Sequence, residues 1–529
     1  MLTLVATLPF ILLFVLMVIL KQPAVRAAPV TLVVVIISVL GFWQMSPLVV
    51  GASLIAGLII TLEIILIVFG AIFLLNILKT ADAFSPIRQI IETITADARI
   101  QAIIIGWFFV GFIEGAAGFG TPAMLAAPLL MMLGFKPLAA VAIALIGDSA
   151  AVTFGAVGVP ITIGITEGLS SSQLVLLGNS LDSVTTTVAF IHLSVGFLIP
   201  LILSVIVTFT HNRSIKKGLA IAPLALIAGF CFLIPSYLAA TFLSPEFPSM
   251  IGGLIGGSLF IIIIKLKLFL PTKPYLLNPP NIINKNSHHD LYSTLKAFSP
   301  YILTLLLLAS TRIDRLGIGQ LLKKINLDFS NILGTDISAG LEPFYSPGFI
   351  FLIAGLLSIV IFGLSQKQTL QAIYLSITGL IKPLVGLLAV LGIVQIILAS
   401  GYNLADLPSI PLYLAQNLPY TPVIGPLLSP FIGALGSFMA GSSTVSNLLF
   451  TSFQAGLAEK LGLSLIIILS LQAAGSAVGN MMAIHNIIAA QAVVGLKDKD
   501  GNIIRLTIIP AFIYTLLIGL IGLILLNLL

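Results

Sequence analysis

Charge is the scarcest commodity in this chain: only 8% of its 529 residues are Asp, Glu, Lys or Arg, against roughly 25% in a soluble domain. Hydrophobic residues make up 59%, so an aqueous fold is excluded and lipid is the expected solvent. There is one cysteine, Cys231, which rules out an intrachain disulfide and leaves redox chemistry without support. No zinc-type Cys/His spacing, P-loop or dinucleotide fingerprint occurs. That argues against ATP-driven transport by this chain, and neither a cofactor nor a metal is expected. The first apolar run lacks the basic leader of a signal peptide, its basic residues Lys21 and Arg26 coming after it. It reads as a retained span.

What is present is a series of apolar runs long enough, at about 17 residues or more, to cross a hydrocarbon core. They cover 2–20, 27–43, 48–78, 184–209, 219–243, 250–264 (extending to 268), 349–364, 370–399 and 506–528. The formal net charge is +6, which in a membrane protein reflects basic cytoplasmic loops rather than a nucleic-acid partner. With Lys21 and Arg26 placed inside, 18 of the 24 basic residues fall inside. Arg312, Arg315, Lys323, Lys324 and Lys460 fall outside, and Lys382 sits within a span. This assignment places both termini outside the cytoplasm. It holds only if 101–134 and 422–461 enter and leave on one face as helical hairpins.

Two Gly-rich stretches carry the strongest signal because they are copies of each other. Gly111-Phe-Ile-Glu-Gly-Ala-Ala-Gly-Phe-Gly-Thr-Pro122 resumes at Asp148-Ser-Ala-Ala-Val-Thr-Phe-Gly155; Gly436-Ser-Phe-Met-Ala-Gly-Ser-Ser-Thr-Val-Ser-Asn447 resumes at Ala474-Gly-Ser-Ala-Val-Gly-Asn480. One offset of 326 residues relates Gly115 to Gly441 and Val152 to Val478. Paired Gly-broken segments in matching halves point to a transporter's binding site. The expected fold is therefore all-α and polytopic, with two inverted repeats, each holding a re-entrant helical hairpin and a broken transmembrane helix. The first repeat is 1–210, with its hairpin near 101–134 and its broken helix near 137–168. Two linking spans and a polar linker fill 211–295. The second repeat is 296–529, with a hairpin near 422–461 and a broken helix near 463–495. Gly57 and Gly70 of one long span match Gly379 and Gly392 of another at an offset of 322.

Ionisable side chains inside spans are expensive and hence functional candidates. Glu114, near the first hairpin tip, either helps to bind an anion or caps freed N–H groups. Asp148, followed by Ser149 and Thr153, is suited to taking a proton or ligating Na⁺, or else caps a helix. His485 can relay protons, whereas His192, with no Gly break around it, reads as a satisfied packing residue. Lys382 stands near the depth of Glu63; it either meets a substrate carboxylate or is neutralised by Glu63, since unpaired buried charge is very costly. Gly118, Thr121, Ser442, Ser443, Thr444, Ser446, Asn447, Ser476 and Asn480 complete a polar, weakly cationic pocket suited to a small hydroxylated anion. Asp148, His485 and Glu63 are the candidates for proton coupling.

Phe112-Ile-Glu-Gly-Ala-Ala-Gly-Phe-Gly-Thr-Pro122, Phe154-Gly-Ala-Val-Gly-Val-Pro-Ile161, Gly441-Ser-Ser-Thr-Val-Ser-Asn447 and Gly479-Asn-Met-Met-Ala-Ile-His-Asn-Ile487 resemble the signature segments of the L-lactate permease family. The resemblance spans both halves. It implies a plasma-membrane secondary carrier, not an enzyme, that imports L-lactate, or glycolate, by proton symport. Three positions depart from the pattern: Ser443 where Asp or Asn is common, Asp148 where Asn is common, and Asn480 where Lys is common. If Asn480 replaces a cationic ligand, Lys382 is the natural substitute. The nearest rival is a Na⁺-coupled carboxylate or dicarboxylate carrier, against which a single buried lysine argues for one carboxylate. A passive anion channel would be told apart by the absence of gradient dependence. An intramembrane hydrolase using Glu114, Asp148 and His485 lacks a nucleophile and leaves the duplicated breaks unexplained. Oligomeric state stays open between monomer and homodimer.

Overall fold

The computed structural model describes residues 2–20, 22–83, 86, 91–118, 120–169, 171–178, 180–277, 291–312, 316–417 and 420–528. Lys21, Arg88, Lys285 and Arg315, all used in the charge count, lie outside them, as does most of the polar linker. Among the described residues nine helices are long and apolar enough to span a bilayer, and the only sheet is a two-stranded ribbon pairing Leu327–Phe329 with Ala339–Leu341. The chain is thus an all-α, multi-pass membrane protein. A large set of exposed Leu, Ile, Val and Phe forms a surface that only hydrocarbon can cover without cost.

Local sequence explains where the helices start and stop. Pro47–Thr80 begins at Ser46, whose side chain accepts from Leu48 N, with Pro47 in the first turn; proline there loses no hydrogen bond. Gln366–Leu398 begins with a capping box between Ser365 and Gln368. Gly363 ends the Pro347–Phe362 helix in the left-handed conformation, which glycine adopts without Cβ strain.

The two long helices, Pro47–Thr80 and Gln366–Leu398, pack along each other in antiparallel register. A Cβ on Gly57 would lie 3.0 Å from the backbone N of Gly392, Gly379 lies beside Ile72, and Asn76 Nδ2 donates to Ser376 Oγ at 3.0 Å. Small residues allow this approach in the membrane. The same device recurs within each half: Gly147 lies against the Gly106 carbonyl, and Gly433 against the Gln472 carbonyl.

After the long helix of each half, the order of elements is the same. In the first half, Ala98–Ala117 carries a π-helical turn at Ile104–Phe109 and is followed by Thr121–Met132. Pro137–Gly147 and Ala151–Thr162 come next and meet at a 57° bend, before Leu181–Asn212. In the second half, Ile424–Ala440 and Ser443–Leu461 pack on each other. They precede Leu465–Asn480, a short break, Ile484–Val493 and finally Asp500–Leu528.

Loop contacts group the ends of these helices. Trp43 Nε1 donates to the Pro408 carbonyl at 3.1 Å and Met45 bridges Asn403, joining two loops assigned to the outer face. On the opposite face Ala24 N donates to Asp500 Oδ2 at 3.1 Å. There the buried Asp97–Arg99 pair, 2.5 Å apart, accepts Tyr275 N and donates to the Lys217 carbonyl. Each contact joins loops that the basic-residue count puts on one side.

Replacing Gly57 by Val is expected to force the long helices apart and to destabilise the protein by about 1–3 kcal/mol, the usual cost of overpacking. Gly379→Ala, whose added methyl would stand 3.6 and 3.9 Å from the nearest Ile72 atoms, should be neutral or mildly stabilising. Thermal melting of the two variants in detergent measures the contrast.

Candidate functional site

The helix breaks of the two halves meet. Gly118 and Gly120 have φ of +62° and +72°, a region open to glycine, and they separate the first hairpin arm from Thr121–Met132. Gly118 backs onto Ala156, Gly120 onto the Asn486 side chain, and Gly441 (φ +61°) onto the His485 imidazole. In the reciprocal contact Asn447 Nδ2 donates to the Pro160 carbonyl at 2.9 Å. The 326-residue offset maps Asn447 onto Thr121 and Pro160 onto Asn486, so the Asn447–Pro160 bond corresponds to a position one residue from the Gly120–Asn486 contact. The second half thus supplies a donor, Asn447, and a packing partner, Asn486, to the interrupted helices of the first.

Beside this junction Ala156, Val157 and Gly158 occupy left-handed conformations in succession, with φ of +46°, +60° and +77°. For a β-branched valine this is strained, and strain of this kind collects at functional sites. Ala156 borders the smaller of the two cavities at the junction.

These two cavities share Gly441 and Ser442. The smaller, of about 30 Å³, is lined by Glu114, Gly118, Gly155, Ser443, Thr444 and Asn480 among others. The larger, of about 210 Å³, includes Glu63, Gln395, His485 and Asn486. The junction thus holds two small adjoining cavities, both below the roughly 300–1,000 Å³ of a drug-sized ligand site. Larger apolar cavities, of about 410 and 660 Å³, lie elsewhere, lined by side chains such as Phe10, Phe431 and Phe512 or Phe230 and Leu259. They offer nothing to a carboxylate.

The sequence candidates fall into three groups. Glu114, Gly118, Ser442, Ser443, Thr444 and Asn480 line the small cavity, and Glu63 and His485 the adjoining one. Thr121 and Asn447 are buried and engaged, Thr121 Oγ1 with the Gly118 carbonyl and Asn447 with Pro160; they shape the junction without facing either cavity. Asp148 closes the Pro137–Gly147 helix behind Glu114, and the two carboxyls are within hydrogen-bonding reach. Lys382 belongs to the long Gln366–Leu398 helix, between the levels of the Gly379–Ile72 and Gly392–Gly57 contacts, but its side chain lies outside the described residues. Among those that are described, the lining of both cavities contains no Lys or Arg. His192 is a satisfied packing residue: Thr153 Oγ1 and Tyr514 OH each lie 2.7 Å from one of its ring nitrogens.

A buried amide network behind the second hairpin escaped sequence reasoning. Ser429 Oγ donates to Gln454 Oε1 at 2.8 Å, Gln454 Nε2 to Gln472 Oε1 at 3.1 Å, and Gln472 Nε2 to Ser446 Oγ at 3.2 Å. Ser446 in turn donates to the Gly433 carbonyl at 2.7 Å. Ser443 and Ser476 share a short hydroxyl–hydroxyl bond. Two glutamines in otherwise apolar helices were the available signal, since such groups are buried only with partners. The network fixes Asn447 against Pro160.

A family model described as L-lactate permease matches residues 2–529. The putative L-lactate permease of Haemophilus influenzae is 32% identical over 494 residues, covering 89% of this chain and 88% of its own. The L-lactate permease of Escherichia coli K12 is 29% identical, covering 98% and 95%. The glycolate permease GlcA of the same organism is 28% identical, again over 98% and 95%.

Gln472→Leu should leave Gln454 and Asn447 with unpaired buried groups and lower stability by about 1–3 kcal/mol. Chemical or thermal unfolding in detergent reads this directly, and an unchanged midpoint would remove the network from the account.

Proposed function

This chain belongs to the L-lactate permease family and is a permease rather than an enzyme, and we propose that it imports L-lactate, or a closely related 2-hydroxy monocarboxylate such as glycolate, across the plasma membrane by proton symport with alternating access. The observation that carries the reading is the match over residues 2–529 to a family whose relatives are named for these two acids. The site geometry supports it. The Ser443–Leu461 helix begins at the small cavity, where first-turn N–H groups suit an anion, and the hydroxyls of Ser442, Ser443 and Thr444 suit a solute that carries its own hydroxyl.

In this reading residues 1–210 and 296–529 are inverted repeats, 211–295 joins them, the hairpins are re-entrant, and both termini lie outside. The antiparallel long helices and the reciprocal Asn447–Pro160 and Gly120–Asn486 contacts favour the inversion. Solute binds where the two cavities meet at Gly441–Ser442, and Lys382 or the hairpin N–H groups hold its carboxylate. Protonation of an acidic group beside the site offsets the solute's charge, so the loaded carrier rearranges near neutrality. Rocking of the hairpin and broken helix of one half against those of the other exposes the site to each face in turn.

The protein reconstituted in liposomes and given labelled L-lactate should accumulate it uphill with an inward proton gradient alone. Accumulation driven only by Na⁺ would replace the proton by Na⁺, and influx that merely equilibrates would make the protein a passive pathway. Lys382→Met should abolish uptake while leaving the melting temperature unchanged; unaltered transport would remove Lys382 from the site.

A further inference from the structure

Glu114 and Asp148 come from different elements, the first hairpin arm and the broken helix, yet their carboxyls meet with each residue only 3% exposed. Glu114 Oε1 packs on Gly155 so closely that a methyl there would overlap it, which fixes the carboxyl in place. Glu114 Oε2 and Asp148 Oδ1 are buried and receive no N–H or O–H donor from the described residues.

The charged and titratable groups on the surrounding elements are placed as follows: His192 bonds Thr153 and Tyr514, His485 packs on Gly441 with its Nδ1 unpartnered, and Glu246 accepts from the Ser244 hydroxyl. Lys296 lies over the Phe362 ring, and Asp500 accepts from Ala24 and Gln491. Among the described residues no cation stands beside either carboxyl.

Two ionised carboxylates in this position would face each other away from water with acceptor oxygens unsatisfied, an arrangement that does not persist. A single proton resolves it, turning repulsion into a charge-assisted hydrogen bond. We propose that Glu114 and Asp148 act as one proton-binding unit, holding a proton between them while they are buried and exchanging it when water reaches them through the small cavity lined by Glu114. The transport role of this unit rests on the symport reading above; the presence of the proton does not. Because Glu114 also borders the hydroxyl-lined cavity, a carboxylate bound there would sense the charge of the pair directly.

Infrared spectroscopy of the purified, solute-free protein at neutral pH tests the proton. The wild type should show a carboxylic-acid C=O stretch that is missing from the Glu114→Gln/Asp148→Asn double variant. Identical spectra in this region would mean that the pair is fully ionised and would overturn the proposal. In liposomes Asp148→Asn should keep lactate–lactate exchange but lose accumulation driven by a proton gradient, and Glu114→Gln should lose that accumulation as well. Full proton-driven accumulation by either single variant would show that the residues do not form a unit. If the wild type carries no lactate at all, the symport reading fails, while the infrared comparison still decides whether the pair holds a proton. Should the double variant not fold, the infrared comparison is made with Asp148→Asn alone, whose acid band must differ in frequency from that of the wild type; an unshifted band overturns the pairing.

Discussion

A backbone N–H or C=O left unpaired in hydrocarbon costs several kcal/mol, and this chain interrupts its helices near the middle of both halves. Those interruptions survive only where protein covers them. Part of the cover for the first half's breaks comes from the second: Asn447 reaches the Pro160 carbonyl, and Asn486 packs on Gly120. The site and the interlocking of the halves are therefore one structural fact. Freed backbone groups cannot be offered to a solute without a second, matching set of elements to enclose them.

The long antiparallel helices pack beside that enclosure, brought together at Gly57, where any side chain would intrude on the Gly392 backbone. At one face the buried Asp97–Arg99 pair ties the start of the first hairpin arm to the loop containing Tyr275 and to the Lys217 carbonyl. A buried pair of this kind adds little net stability; its effect is positional, since Arg99 has few other acceptors within reach. Beside these helices the Ala156–Gly158 turn holds three successive left-handed residues, a local strain that the surrounding packing sustains.

Much of the site was legible in the sequence because its residue types are rare in their setting. Glu114, Asp148, His485 and Glu63 stand out as ionisable groups in oily segments, and the duplicated glycines give their positions in each half. What could not be read was which of them meet. Asp148 and Glu114, 34 positions apart, were separate candidates, whereas folding puts their carboxyls together. Nor does the sequence show that Thr121 Oγ1 bonds the Gly118 carbonyl and Asn447 the Pro160 carbonyl. Gln454 and Gln472 were passed over because an amide in an apolar helix gives no hint of its partner until the neighbouring helix is in place.

The sequence by itself determined the solvent, the helical class, the positions of the breaks and their duplication, since hydropathy, Gly spacing and internal offset are properties of the chain in one dimension. Only the tertiary structure decided that the breaks of one half pack against those of the other, that two carboxyls share one buried space, and that two small cavities adjoin at Gly441 and Ser442. Those outcomes depend on distances between segments far apart along the chain. Such distances are set by the packing of whole helices, which no local pattern encodes.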